Sequence, residues 1–180
     1  LYLNISNTSV TSLNSLQISS LRSLNIANNG ATNIDNLRNN ILLHGLVAKN
    51  NNIQSISEDI FTKNIYYLNL GNNQISDLTF LNNLTNLTHL SLDGNSSENP
   101  IDAGPLANLE NLTHLHISNN NANNLINNIQ NLTNLKSIAA LNTNISDIQP
   151  LSNLTELEVL IIDNCLACRN NNDINNNNNN

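Results

Sequence analysis

At 180 residues, with a formal net charge of −7, six Lys and Arg, 11 % charged residues and 3 % aromatics, the chain is long enough for one domain with a sizeable core. The charge balance excludes nucleic acid as a partner, since phosphate neutralisation needs clustered cations and none occur. No apolar run has the length of a membrane-spanning helix, and two Cys set no disulfide framework. Leu (31) and Ile (20) supply core-forming residues in spite of 46 Asn, so the chain is not a disordered one.

From the first residues onward the string L-x-x-L-x-L-x-x-N recurs. Its central apolar pairs are Leu3/Ile5, Leu24/Ile26, Leu46/Ala48, Leu68/Leu70, Leu90/Leu92, Leu115/Ile117, Ile138/Ala140 and Leu160/Ile162. The steps between first members are 21, 22, 22, 22, 25, 23 and 22 residues. Behind each pair runs x-I-x-x-I/L-x-x-L, as in Ile75, Leu78 and Leu81, and again in Ile145, Ile148 and Leu151.

Within L-x-L the period is two, so a short strand points both apolar side chains inward and the x residues outward. Spacing of three on the far side suits 3₁₀ or irregular turns. One such coil cannot bury its own apolar face, whereas stacked coils can. The prediction is therefore an α/β solenoid of about eight coils, its strands forming a parallel sheet roughly 34 Å long at strand spacing of about 4.8 Å. The residue closing each motif is Asn29, Asn51, Asn73, Asn95 or Asn120, with Thr8, Thr143 and Cys165 as departures. There the chain turns inward, and a short side chain carrying donor and acceptor can satisfy backbone groups of adjacent coils.

The stretches Gln74–Leu92 (QISDLTFLNNLTNLTHLSL) and Asn144–Ile162 (NISDIQPLSNLTELEVLII) resemble the 22-residue class of leucine-rich repeats found in bacterial internalins and in phosphatase-regulating relatives. The resemblance covers Leu1 to about Asn164. It implies a horseshoe with a parallel concave sheet and a 3₁₀ or irregular convex side, and a protein partner bound on the concave face.

In chain order, the fifth coil carries three extra residues within Ser96–Pro105, a segment with two of the three Pro, predicted as a loop at the exit of the strand. Such a loop beside the sheet can form one wall of a binding site. The sixth coil has one extra residue between Asn120 and Ile129. Leu1 begins within a strand and no polar cap follows Cys165, so residues 1–169 read as an uncapped excerpt of a longer repeat domain. Residues 170–180, NNNDINNNNNN, read as a disordered Asn-rich tail.

The outward strand positions bring Tyr67, His89, Asp93, His114 and His116 onto adjacent strands, and this is the candidate partner-binding patch. Two imidazoles with Asp93 suggest a divalent metal, but a flat sheet converges side chains poorly, so no metal or other cofactor is expected. Ser91 and His116 are expected to be neighbours, yet no third orienting group or G-x-S-x-G motif accompanies them, so no catalysis is predicted. Cys165-x-x-Cys168 offers two of the four ligands zinc wants and reads as structural. A second outward group, Ala139, Leu141, Val159 and Ile161, is apolar, either a contact patch or the inner side of a further coil. Nine N-x-S/T sequons are about what this Asn content yields by chance, and Asn-Leu-Thr sits in the repeat linkers for its turn chemistry.

The sequence thus predicts a non-catalytic recognition scaffold with a protein partner, extracellular or at a cell surface, with a cytoplasmic setting as the alternative. The competing reading is a structural or self-assembling protein, stacking through its ends or holding a carbohydrate or other lattice on its Asn columns.

Overall fold

The computed structural model describes residues 1–14, 16–95 and 100–162. Each of the eight L-x-L pairs contributes to a short strand, and two further strands, β6 and β8, lie among them: β1 Tyr2–Asn4, β2 Ser23–Asn25, β3 Gly45–Val47, β4 Tyr67–Asn69, β5 His89–Ser91, β6 Ile101–Asp102, β7 His114–His116, β8 Ala122–Asn123, β9 Ser137–Ala140 and β10 Val159–Ile162. Eight of these make one parallel sheet in the order β1-β2-β3-β4-β5-β7-β9-β10, with Leu3, Leu24, Leu46, Leu68, Leu90, Leu115, Ile138 and Leu160 in register. The predicted coil register is therefore the observed one. From Leu24 to Ile138 these side chains are at most 2 % exposed, and with the convex Ile and Leu residues they form one continuous core.

The convex side is built of short 3₁₀ helices at Asp35–Asn39, Thr79–Leu81, Gly104–Asn108 and Gln149–Asn153. The sixth coil differs: its extra residue lets Leu125–Ile129 close an α-helical turn, α1, with Leu125, Ile126 and Ile129 buried. The fifth-coil segment is only partly a loop. Its Ile101–Asp102 forms β6, which pairs in parallel with β8 as a second, two-stranded sheet, and Gly104–Asn108 is 3₁₀. The isolated bridge forms because coils five and six are both lengthened, so their exits from the main sheet run alongside each other.

Asn does three separate jobs. Asn29, Asn51, Asn73, Asn95 and Asn120 are buried and form the predicted ladder. Asn51 Nδ2, for example, donates to Ile26 O and Ala48 O at 3.0 Å, while its Oδ1 accepts from Ala31 N at 2.9 Å. The preceding column, predicted only as outward, is the left-handed turn that folds the chain inward: Asn7, Asn28, Asn50, Asn72, Asn119 and Asn142 all have φ between 51° and 59°, and Gly94 has φ 65°. Asn tolerates this region better than other side chains, which accounts for its recurrence there. In the linkers, Asn64, Asn86, Asn111 and Asn134 each donate an amide hydrogen to a carbonyl of the preceding coil, at 2.8–3.2 Å. The linker Asn of the Asn86 and Asn111 sequons thus serves coil stacking. Cys165, Cys168, the boundary at 169 and the Asn tail lie outside the described residues.

Candidate functional site

Register places the predicted patch on one face. Tyr67, His89 and His114 occupy equivalent positions on β4, β5 and β7, and Ser91 stands opposite His116. The rings form a stack. Tyr67 and His89 are tilted at 33° with centroids 5.8 Å apart, while His89 and His114 are parallel within 6° at 4.4 Å. Asp93, just beyond β5, accepts from Ser118 N at 2.7 Å and from Ser91 Oγ at 3.3 Å, and lies 3.8 Å from His116 Nδ1. All five predicted residues line one concave cleft of about 480 Å³, with Lys49, Asn69, Gly71 and Asn72. Gly71 stands between Lys49 and Asp93 in its column, and a Cβ there would come within 3.3 Å of Asp93 O. None of the described residues of the fifth-coil segment lines it, so residues 100–105 do not form the wall expected of that loop.

The sequence reading missed what orients the rings. Thr88 Oγ1 lies 2.9 Å from both Tyr66 O and His89 Nδ1. Thr113 Oγ1 repeats this with Thr88 O and His114 Nδ1, again at 2.9 Å. The signal was present in the recurrence of Thr-His-Leu at 88–90 and 113–115, in the same phase of both repeats. Also missed was the adjacent pair His44 and Tyr66, whose rings lie 5.8 Å apart in the column just before the strands.

His89 is held below the ordinary imidazole value of 6.5, first by burial and then by repulsion from His114 and His116. Below pH 6.5 the unfolded chain takes up a proton that folded His89 refuses. Its contribution is therefore intact above that pH, and stability falls as the pH drops through it. Thermal melts followed by circular dichroism from pH 7.5 to 5.5 should show this loss, and His89→Gln should flatten the dependence; an unchanged slope in the variant would remove His89 as its source.

Ser91 Oγ donates to the Asp93 carboxylate at 3.3 Å rather than to an imidazole, so the expected Ser91–His116 neighbours share no hydrogen bond among those described. Parallel stacked imidazoles do not bring two lone pairs together at the roughly 2.0–2.1 Å bond length a zinc ion needs, and among the described residues no three of His, Cys, Asp and Glu come together as a metal-holding group. The second predicted group continues the same face: Val159 and Ile161 on β10 are 44 % and 45 % exposed, and Ala139 and Leu141 are half-buried.

A stack of parallel coils, an Asn ladder and a concave face carrying variable side chains together define a leucine-rich-repeat protein. No protein-family model and no curated protein matches the chain, but solved internalins of Listeria monocytogenes do. Internalin InlF is 28 % identical, with a TM-score of 0.67, over 90 % of this chain and 53 % of that one. The functional domain of InlJ, described as including a cysteine ladder, is 22 % identical with a TM-score of 0.77, over 92 % of this chain and 35 % of that one, a likeness of fold. Internalin InlC2 is 28 % identical with a TM-score of 0.51, over 87 % of this chain and 57 % of that one. The chain therefore spans between about a third and three-fifths of these neighbours. The internalin-like repeat class read from the sequence is the class its structure occupies. Among the described residues no helix is long and apolar enough to cross a membrane.

Proposed function

We propose that the chain is a non-catalytic scaffold that binds a protein partner on its concave face, with Tyr67, His89, Asp93, His114 and His116 as the contact centre. The observation that carries this reading is the stacked Tyr67–His89–His114 row beside the 480 Å³ cleft, on a face whose backbone hydrogen bonds are already used within the sheet. Aromatic rings held by packing lose little conformational entropy on binding, which favours them as anchors. The patch lacks Trp and Arg, so its affinity is modest. The likeness to internalins and the scarcity of Lys support an extracellular or surface setting.

The test is a double substitution, His89→Glu with His114→Glu. Photo-crosslinking from an adjacent concave position should capture the partner with the unaltered chain and lose it with the variant, while the Tm changes by no more than a few degrees. Retained capture would remove the patch from the contact.

A second reading, assembly into a lattice, is favoured by the outer row in which Asn50 donates to Asn28 at 2.6 Å and Asn72 to Asn50 at 2.7 Å, a periodic array of uncharged amides. It requires a scattering mass that grows with concentration, and a strict monomer would count against it.

A further inference from the structure

Two histidines, a lysine and a third imidazole would ordinarily mark a cleft for an acidic ligand, but the hydrogen bonds at the rings reverse that sign. Thr88 Oγ1 sits 2.9 Å from Tyr66 O, and two oxygens at that distance need a proton between them. The hydroxyl has one proton, so its contact with His89 Nδ1, also 2.9 Å, must be donated by the ring. Thr113, with its proton given to Thr88 O, imposes the same on His114. Both neutral imidazoles are therefore Nδ1–H tautomers with a bare lone pair on Nε2.

Because the two rings are held by equivalent threonines and lie parallel at 4.4 Å, their Nε2 lone pairs stand side by side and project the same way. Asn72 Oδ1 adds an acceptor. In the neighbouring coil its left-handed turn column holds Gly94, where a Cβ would overlap Asn72 Oδ1, so no Asn side chain follows in that position. The Asp93 carboxylate, four residues beyond His89 in the same coil, supplies negative charge, with its Asp93–Ser118 bond fixing its direction. The cleft thus presents acceptors and one anion, on a chain of net charge −7. Lys49, which also lines the cleft, follows β3, so that β4 and β5 lie between it and the strand of His114 and His116.

We propose that this cleft receives a basic side chain, an arginine guanidinium or lysine ammonium, from a protein partner, with His89 Nε2, His114 Nε2 and Asp93 accepting its hydrogens. This deepens the concave-face reading above and rests on it for the partner being a protein. Protonation of either ring would replace an acceptor by a donor and set like charges together. The groups facing His89 are Tyr67 from β4, Thr88 beside it, and His114 and His116 from β7, with Asp93 the nearest anion and Lys49 the cation of the cleft. Binding therefore weakens on acidification.

The test uses the full chain labelled with ¹⁵N-histidine. Long-range ¹H–¹⁵N spectra at pH 7.5 should show His89 and His114 as Nδ1–H tautomers. Titration with N-acetyl-arginine amide should shift both Nε2 signals saturably, at least several-fold more tightly than N-acetyl-glutamate amide or methyl glucoside. Asp93→Asn, which keeps the acceptor for Ser118 N, should weaken the arginine probe about tenfold, and lowering the pH from 7.5 to 5.5 should weaken it in the unaltered chain. Nε2–H tautomers, no saturable shift, or equal or tighter binding of the glutamate or sugar probe would each overturn the proposal. The amide probes read the cleft without any partner. Capture retained by the His89→Glu, His114→Glu variant while the unaltered chain still binds the arginine probe would therefore indict the protein-contact reading alone; capture lost by the variant with no saturable arginine binding would indict this one alone.

Discussion

Replacing Asn73 by alanine is expected to lower stability by about 3 kcal/mol or more, since each buried backbone group left without a partner costs about 1–3 kcal/mol. Asn73 Nδ2 donates to Leu70 O at 2.8 Å and Ala48 O at 3.0 Å, and its Oδ1 accepts from Ile53 N at 3.1 Å. All three partners are buried, Leu70 in the same coil and Ala48 and Ile53 in the preceding one, so the loss falls on the stacking of neighbouring repeats as well as on one turn. Thr143 shows what a lesser side chain manages at the same position: its Oγ1 makes one such bond, to Ala140 O at 2.8 Å. Asn73→Thr should accordingly lose less than Asn73→Ala. Urea unfolding followed by circular dichroism measures both, with the exposed Asn82→Ala as reference; equal midpoints for Asn73→Ala and Asn82→Ala would mean the ladder is not a source of stability.

Phe80→Ala is expected to cost about 3–5 kcal/mol, the range for truncating a large aromatic in a packed interior. Phe80 is 1 % exposed within the Thr79–Leu81 turn and meets Phe61 of the preceding coil edge-on, with centroids 6.4 Å apart. Small residues cannot refill that space, because the turn on either side is held by 3₁₀ hydrogen bonds, Leu81 N to Leu78 O at 2.9 Å among them. Phe80→Leu, which keeps most of the volume, should cost about a third as much. The same urea experiment decides it: an alanine variant within about 1 kcal/mol of the parent would show that the convex side collapses freely around the gap.

The coil architecture was legible because one repeating unit, copied eight times, constrains itself: strand, register and burial of Leu68, Leu90 and Leu115 all follow from phase. That Tyr67, His89, Asp93, His114 and His116 share one face was legible for the same reason. Phase alone did not distinguish the Asn72 column from ordinary outward positions, since a left-handed φ leaves no mark in an L-x-L period beyond a preference for Asn and Gly. Nor did it show that the fifth-coil segment would yield β6, because that strand depends on a second lengthened coil lying beside it. Phe80 falls off the Ile75–Leu78–Leu81 spacing, so its burial could not be read from the period.

The sequence by itself determined the solenoid, its eight in-register strands and the asparagine ladder, because apolar spacing and a donor-acceptor side chain at one phase leave few other ways to bury the chain. Only the tertiary structure decided what the concave face offers. His89 and His114 are 25 residues apart, yet they stack because the extra residues leave the main sheet before the next strand. The tautomer of each ring then depends on where a threonine hydroxyl sends its single proton, to the carbonyl of a neighbouring coil 22 or 25 residues back, which is a fact of coil stacking that local sequence does not contain.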